Sequence, residues 1–349
     1  MTRWEEVSVQ VRERIAARIV GMDDAIEKIL LCILTRQHAL LVGVPGLAKT
    51  LLIRSLSELL DLSFARIQFT PDLMPSDITG TEVLAGEDGA GDSDGRAFKF
   101  LPGPIFAHIV LADEINRTPP KTQSALMEAM EERQVTSVGQ RYPLPEPFFV
   151  LATQNPIEQE GTYPLPAAQL DRFMFRIRIE YPEADVETTV ARRVGRGGEP
   201  PLSPVLKKDD LDAFRDESRQ VEVPESLQRR IVEFVRASRP EEPNAPGFIR
   251  DWIEFGASPR AAQALLVASR ARALLRGRTI VREEDVVALA PDIVRHRLVL
   301  NYHANAEGVR AVKVVRQLLA LHFESARPPV EEKPASFWDR LRALFRRAG

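Results

Sequence analysis

A glycine-rich stretch at residues 43–50 has the composition of a phosphate-binding loop. Its sequence, GVPGLAKT, has the spacing G-x-x-x-x-G-K-[ST] and lies between a short apolar run and an amphipathic one. Backbone N–H groups of such a loop surround an anion, and the positive end of the following helix points at it. Lys49 would reach the β and γ phosphates of a nucleotide, and the Thr50 hydroxyl would help to hold Mg²⁺. The predicted nucleotide site comprises Gly43, Val44, Pro45, Gly46, Leu47, Ala48, Lys49 and Thr50.

Polar residues follow two apolar runs at positions suited to hydrolysis. Residues 108–112 are typical of a strand buried on both faces of a parallel sheet, and Asp113 and Glu114 follow them. The first carboxylate can hold the Mg²⁺ shell, and the second can orient or deprotonate an attacking water. The run at 148–152 leads to Asn155, a candidate to hydrogen-bond that water or the γ-phosphate. An asparagine that closes a turn is the alternative.

Three further positions have sequence contexts that suit a nucleotide contact. Val20 and Gly21 break the pattern between two predicted helices ahead of the loop. A segment placed there often covers an adenine ring, and plain helix packing explains it equally well. Arg260 follows Ser258 at the predicted start of a helix, where the helix dipole does not favour a cation. A nearby phosphate would compensate, and a solvated arginine is the alternative.

The composition is that of a soluble globular protein with two or three domains, since the 349 residues are 44% hydrophobic and 28% charged. A net charge of −3 gives no global electrostatic reason to expect nucleic-acid binding. The single cysteine, Cys32, excludes an intrachain disulfide and favours a reducing compartment. The N-terminus lacks a signal-peptide core, and no run approaches the ~20 apolar residues of a membrane span. We therefore expect a cytoplasmic protein.

The elements that must position these residues fall into two domains. Short apolar or alternating runs predict strands up to residue 179, and only helical periodicity is present from about residue 205. The predicted organisation is an N-terminal helix at 1–20, a nucleotide-binding core at 21–182, a linker at 183–204, a helical domain at 205–327 and a tail at 328–349.

Two segments have unusual composition. Residues 85–95 are acidic and glycine-rich, as expected of a mobile hairpin tip. Residues 336–347 place aromatic and leucine side chains on one helical face and arginines on the other. Such a helix can lie on an anionic membrane, dock on a partner or fold back on its own domain, and the sequence leaves all three open.

Seven stretches of the chain resemble one protein family. They are residues 43–50, 69–77, 111–117, 119–132, 152–166, 170–173 and 256–261. Together they are similar to the MoxR family of AAA+ ATPases, and the resemblance runs from about residue 20 to residue 322.

The resemblance implies an α/β fold, namely an AAA+ P-loop NTPase core with a five-stranded parallel sheet followed by an all-α lid domain. It implies an insert at about 78–103 and a hairpin at about 134–145, both facing the upper surface or the pore of a ring. The roles it implies are Walker A for Lys49 and Thr50, Walker B for Asp113 and Glu114, sensor 1 for Asn155, sensor 2 for Arg260 and arginine finger for Arg172. The finger would act on a neighbouring subunit's nucleotide, whereas the residues alone also allow a local pair with Asp171.

The function implied by the resemblance is ATP hydrolysis with Mg²⁺ by a ring oligomer, usually a hexamer. The ring would act as a chaperone-like remodeller or maturation factor for protein complexes. It would work on a protein client, beside a partner with a von Willebrand factor A domain. A DNA-dependent motor and a nucleotide-gated scaffold with little turnover stay open as alternatives, although the net charge argues against nucleic acid as a partner.

Overall fold

The computed structural model of the chain describes residues 1–85, 97–156, 161–193 and 201–326. The acidic segment predicted at 85–95, apart from its first residue, and the tail predicted at 328–349 lie outside these residues. Within the described part, no helix combines the length and the apolar character that crossing a membrane requires.

The elements alternate between strands and helices up to residue 193, and helices dominate afterwards. The helices are α1 (Arg3–Ala16), α2 (Asp23–Leu34), α3 (Lys49–Leu59), α4 (Pro75–Thr79), α5 (Pro120–Glu132), α6 (Ala167–Leu170), α7 (Ala184–Arg193), α8 (Lys208–Gln220), α9 (Glu225–Arg236), α10 (Gly247–Trp252), α11 (Pro259–Leu275), α12 (Glu283–Val294), α13 (Tyr302–Ala306) and α14 (Ala311–His322). The strands are β1 (His38–Val42), β2 (Phe64–Gln68), β3 (Gly80–Ala85), β4 (Ala97–Pro102), β5 (Ile109–Asp113), β6 (Gln134–Ser137), β7 (Gln140–Pro143), β8 (Phe149–Gln154), β9 (Phe173–Arg178), β10 (Ile253–Phe255) and β11 (Val299–Leu300).

The central sheet has five parallel strands in the order β2-β5-β8-β1-β9. Its three inner strands are near-continuous apolar runs, as a sheet covered on both faces requires. In register, Leu40 of β1 lies between Ala152 of β8 and Arg176 of β9. The predicted five-stranded parallel core is confirmed.

Apolar side chains from the two faces of the sheet enter two separate clusters. Leu40 and Val110 pack on the face covered by α4 and α5. Leu41 points to the opposite face, where one continuous cluster joins Ile29 of α2 with Leu265 of α11. The second domain therefore shares its hydrophobic core with the first.

Ion pairs reinforce this shared core. Lys28 of α2, which is buried, pairs with Asp292 of α12. Arg272 of α11 pairs with Glu27 at 3.2 Å. Because these pairs join residues far apart in sequence across a buried seam, the lid is held on α2 and on the edge of β9.

Three features refine the predicted organisation. Helix α7 occupies the first half of the segment predicted as a linker at 183–204. Its residues Val186 and Val190, four positions apart, have the spacing of an amphipathic helix, which the linker prediction did not take into account. The short antiparallel pair β10–β11 interrupts the otherwise helical second domain. The hairpin β6–β7 lies within the predicted range 134–145 and touches the β3–β4 hairpin through stacked rings of Tyr142 and Phe100, whose centroids are 3.9 Å apart.

Candidate nucleotide site

The phosphate loop connects the carboxyl end of β1 to the first turn of α3. Gly46, with φ of 85°, and Ala48, with φ of 49°, adopt left-handed conformations that turn the chain into the helix. Gly43 packs so closely that a Cβ atom there would lie 3.0 Å from the Ile179 carbonyl oxygen. The left-handed residues and the close packing at Gly43 therefore determine the path of the loop. The amino end of α3, which carries the positive end of the helix dipole, faces the loop.

Lys49 lies folded against its own loop. Its Nζ atom donates to the Gly43 carbonyl oxygen at 2.6 Å. Partial burial lowers the pKa of Lys49, while the nearby carboxylates of Asp113 and Glu114 raise it. The Lys49 ammonium therefore lies between the loop and the carboxylates of Asp113 and Glu114, in a position to bind a phosphate group of the nucleotide.

Asp113 ends β5 with both carboxylate oxygens engaged. Oδ1 accepts a hydrogen bond from Thr153 Oγ1 at 2.7 Å. Oδ2 accepts from Arg66 Nε at 3.1 Å and from Arg66 Nη2 at 2.7 Å. Because Thr153 is buried on β8 and Arg66 lies on β2, the strands on either side of β5 both orient this carboxylate.

Glu114 has a left-handed backbone with φ of 60°, which turns the chain away from the sheet at this point. Its N–H donates to Thr153 Oγ1 at 2.8 Å. Its Oε2 atom accepts from Gln68 Nε2 at 3.1 Å and from Arg117 Nη1 at 3.0 Å. The carboxylate is therefore fixed beside that of Asp113.

A cavity of about 520 Å³ unites most of the predicted site. It is lined by Pro45, Gly46, Leu47, Ala48, Lys49, Thr50, Leu51, Arg66, Gln68, Asp113, Glu114 and Asn155. Thr50 and Asp113 supply oxygen ligands of the kind that Mg²⁺ prefers. The described residues contain no group of three or more histidine, cysteine or acidic side chains that could hold a metal alone. Two oxygen ligands from the protein suit Mg²⁺, which usually keeps several waters and binds the phosphates of the substrate.

Arg172 and Arg260 lie together at the opposite end of the sheet. A cavity of about 360 Å³ there is lined by both arginines, by Glu131 and by His38 at the start of β1. Arg172 Nη2 lies 2.6 Å from Glu131 Oε2, and Arg260 Nη2 lies 3.6 Å from Glu131 Oε1. With a rise of roughly 3.3 Å per residue, the two ends of a five-residue strand are on the order of 15 Å apart.

The structure thus places Arg260 away from this chain's own phosphate loop, and its role as sensor 2 stays a prediction. The lid docks on α2 and β9, which brings the first turn of α11 to the amino end of the sheet. There Ser258 Oγ donates to Asp171 at 3.1 Å, and Arg297 binds the same carboxylate at 2.6 Å. The position of Arg260 follows from this docking.

Comparison with known proteins agrees with this architecture. The family described as "ATPase family associated with various cellular activities (AAA)" matches residues 38–175, and "AAA lid domain" matches residues 249–318. "Chaperone MoxR1" of Mycobacterium tuberculosis is 42% identical over 301 residues, which cover 86% of this chain and 78% of that protein. "Protein MoxR" of Methylorubrum extorquens is 29% identical, with 94% and 97% of the two chains covered. The chain belongs to the MoxR family of AAA+ ATPases.

Solved structures support the MoxR assignment at the level of the fold. A crystal structure from Cytophaga hutchinsonii superposes with a TM-score of 0.82 at 42% identity, covering 91% of this chain and 94% of that one. A full-length MCM homolog from Methanopyrus kandleri superposes with a TM-score of 0.55 at 18% identity, covering 85% and 61%. The second likeness concerns the fold alone.

Val20 and Gly21 of this MoxR protein do not line the cavity at Lys49, and of the predicted loop residues Gly43 and Val44 do not line it either. Gly21 has φ of 80°, and a Cβ atom there would lie 2.8 Å from a methyl group of Val186 on α7. Gly21 thus permits close packing of α7, and a contact of this segment with adenine remains a prediction.

Sequence reasoning missed three side chains of the MoxR site, namely Arg66, Gln68 and Thr153. Each one hydrogen-bonds Asp113 or Glu114 from a neighbouring strand. The alternation of β2 was visible in the sequence, but the pairing of β2 with β5 was not. Only Thr153 had a signal in the sequence: it lies two residues before Asn155, at the same end of the same strand, and so could have been predicted to lie near the site.

Proposed function

We propose that this protein hydrolyses ATP in the cavity between the phosphate loop and the ends of β5 and β8. The observation that carries the proposal is that Glu114, a carboxylate able to activate water, lines the same cavity as Lys49 and Asn155.

Each side chain has a distinct task in the proposed reaction. The loop N–H groups and Lys49 bind the phosphates, and Thr50 and Asp113 would hold Mg²⁺, which neutralises charge on the phosphate oxygens when bound. Asn155 orients the attacking water. Hydrogen bonds from Gln68 and Arg117 both reach Glu114 Oε2, so Oε1 is the oxygen that would accept the proton of that water.

Replacing the proposed base tests the reaction. In Glu114→Gln we expect ATP binding to persist and turnover to fall by roughly 100-fold or more, the usual contribution of a general base. Glu128→Gln, which changes an exposed glutamate on α5, is the matched control and should retain full turnover. Undiminished hydrolysis in Glu114→Gln would overturn the assignment, and negligible turnover in the assembled wild type would favour a nucleotide-gated scaffold.

We also propose that Arg172 and Arg260 complete the site of a neighbouring subunit in a ring. Support comes from their position at the end of the sheet opposite to Lys49, where they cannot serve the loop of their own chain. An arginine supplied in this way contributes roughly 10³- to 10⁵-fold to turnover.

Mixing variants tests the action between subunits. Arg172→Ala alone should abolish hydrolysis, and mixing it with Glu114→Gln subunits should restore part of the activity, because some interfaces then combine an intact Glu114 with an intact Arg172. If no mixing ratio restores activity, Arg172 acts within its own chain or only structurally.

The cellular role we propose is chaperone-like remodelling or maturation of a protein complex in the cytoplasm, beside a protein with a von Willebrand factor A domain. The name of the Mycobacterium tuberculosis relative, "Chaperone MoxR1", supports the chaperone part. Glu114→Gln held with ATP should retain such a partner in a pull-down, and Lys49→Ala should not. Equal recovery with both variants would contradict a nucleotide-dependent partnership.

For the tail at 336–349 we keep both a membrane surface and a partner as proposed contacts, and deletion of these residues separates them. If the full chain sediments with anionic liposomes and the truncated chain does not, the membrane is the contact. Equal sedimentation of both forms removes the membrane from the proposal.

A further inference from the structure

Asp171 lies next to Arg172 in the sequence and connects the first domain to the lid. Its Oδ1 atom accepts a hydrogen bond from Arg297 Nε at 2.6 Å, and its Oδ2 atom accepts one from Ser258 Oγ at 3.1 Å. Ser258 lies directly before α11 and two residues before Arg260. One carboxylate therefore joins the residue beside Arg172 to the helical turn that carries Arg260.

Arg297 holds this carboxylate from the lid. It ends the 3₁₀ turn Arg295–Arg297 that follows α12, and only 3% of its side chain is exposed. Its Nη2 atom donates to the carbonyl oxygens of Asp171 at 3.1 Å and of Phe173 at 2.9 Å, and its Nη1 atom donates to that of Ile293 in α12. Because a planar guanidinium with several engaged donors has little freedom to move, Arg297 fixes Asp171 relative to α12.

Ser258 contacts Asp171 in place of capping its own helix. It occupies the N-cap position of α11, where a serine side chain normally accepts a hydrogen bond from an N–H group of the first turn. In the described turn its side chain accepts no such bond and donates to Asp171 instead. A residue that departs from a local preference in this way often marks a functional constraint. The link between the domains is therefore made at the expense of the helix cap.

The charge of Asp171 also acts between arginines. Burial lowers the pKa of Arg297, the carboxylate of Asp171 raises it, and the positive charge of Arg260 lowers it. Arg297 and Arg260 line the same cavity as Arg172. Without the negative charge of Asp171, the repulsion among these three guanidiniums would increase. Asp171 therefore stabilises their arrangement by its charge as well as by its hydrogen bonds.

The link through Asp171 differs from the contact through Glu131. Glu131 touches the guanidiniums of Arg172 and Arg260 directly, where phosphates of a neighbouring nucleotide would bind. Asp171 accepts its hydrogen bonds from two residues that have no proposed phosphate contact, so bound phosphates would not replace it. This link can therefore persist while the two arginines bind a nucleotide.

We propose that Asp171 and Arg297 are positioning residues that keep the arginine of the core and the arginine of the lid at a fixed separation. Both arginines, Arg172 and Arg260, then reach the same nucleotide of a neighbouring subunit. This inference rests on the proposed action of Arg172 and Arg260 between subunits, and it adds that the arginine of the core depends on the docked lid. A misplacement of about 1 Å can cost roughly 100-fold in turnover, so a fixed separation matters.

Asp171→Asn, which keeps the shape of the side chain and removes its charge, is the first test variant. Turnover of the assembled protein should fall by roughly 10- to 100-fold while the KM for ATP stays unchanged, because the phosphate loop of the same chain is not touched. Ser258→Ala leaves the charges of Asp171 and Arg297 in place and should lower turnover by about three- to tenfold. Asp209→Asn, at an exposed aspartate of α8, is the matched control and should retain full turnover.

Mixing with a second variant separates positioning from folding. Glu114→Gln subunits keep Asp171 and both arginines, so they should restore part of the turnover of Asp171→Asn and of Ser258→Ala, as they should for Arg172→Ala. A subunit that had merely lost its fold would not recover, because its own nucleotide site would be lost with it.

The outcomes distinguish this inference from the proposal on which it rests. Suppose that mixing restores Arg172→Ala, but that Asp171→Asn and Ser258→Ala either keep full turnover or lose it without being restored. Asp171 then does not position the arginines, and the inference fails alone. If mixing does not restore Arg172→Ala either, the action between subunits fails and this inference fails with it.

Discussion

Arg172 pairs with Glu131 at 2.6 Å across the cavity at the amino end of the sheet. The same carboxylate lies 3.6 Å from Arg260, so one glutamate at the end of α5 contacts both arginines proposed to act on the neighbouring site. All three side chains are partly exposed, and such pairs contribute no more than about 1 kcal/mol. A triphosphate carries more charge than one carboxylate and would displace it.

Removing the charge of Glu131 should ease assembly with nucleotide. In Glu131→Gln the two arginines no longer have to leave a carboxylate, so the protein concentration that gives half-maximal ATPase activity should fall, by up to about fivefold for a surface pair. Glu132→Gln, at the adjacent exposed glutamate, is the matched control. An unchanged or higher half-maximal concentration would show that Glu131 does not compete with the phosphates.

Arg66 should set the Mg²⁺ requirement. Its guanidinium binds Oδ2 of the Asp113 carboxylate and therefore competes with a cation for that oxygen. In Arg66→Met the Mg²⁺ concentration for half-maximal turnover should fall by roughly two- to fivefold, as expected for a half-exposed pair. Arg54→Met on α3, whose guanidinium pairs with Glu58 on the same helix, is the control. A higher Mg²⁺ requirement would place Arg66 on the phosphates instead.

His38 should make the fold sensitive to acid. It is fully buried, Val150 N–H donates to its Nδ1 at 3.0 Å, and burial lowers its pKa from 6.5 to about 4. The unfolded state therefore binds the proton first, so stability is complete above pH 6.5 and is lost as the pH falls toward 4. The loss from this one group is about 3 kcal/mol, at about 1.4 kcal/mol for each pKa unit.

Urea unfolding of the wild type and of His38→Gln at several pH values between 7 and 4 measures this contribution. Because other groups titrate in the same range, the difference between the two proteins is the relevant quantity. The variant should lose correspondingly less stability over that interval. Parallel pH profiles for the two proteins would contradict the assignment to His38.

The stack between Tyr142 and Phe100 should hold the two hairpins together. An aromatic pair of this kind contributes about 0.5–1.5 kcal/mol beyond the area that it buries. In Tyr142→Ala, amide hydrogen exchange in β3 and β4 should accelerate by roughly two- to tenfold, because that range of energies corresponds to those factors. Tyr142→Phe keeps the ring and should exchange like the wild type. Equal exchange in all three proteins would show that the hairpins are independent.

The sequence predicted the central sheet and the phosphate-binding side of the site for a clear physical reason. Strands buried on both faces must be apolar, so Leu40, Val110 and Val150 mark them directly. The carboxyl ends of parallel strands meet at one edge, which brings Asp113 and Asn155 to the loop. These relationships depend on local pattern and on strand direction.

The remaining features depend on how distant elements dock. Arg66 lies on the edge strand β2. The alternation of residue types along such a strand is the same whether the arginine faces solvent or a carboxylate, so the sequence could not predict its contact with Asp113. The location of Arg260 follows from lid contacts such as Lys28 with Asp292, which are 264 positions apart in the chain. No local periodicity encodes such a pair, so the sequence could not predict at which end of the sheet Arg260 lies.

The buried seam between α2 and α11 has a consequence for motion. Since one continuous apolar core spans both domains, opening it would expose side chains that are completely buried, such as Ile29 and Leu265. A hinge inside the protomer would therefore be costly, and each protomer should turn as a rigid body. In a ring, the work of nucleotide turnover would then appear as rotation of whole protomers against their neighbours.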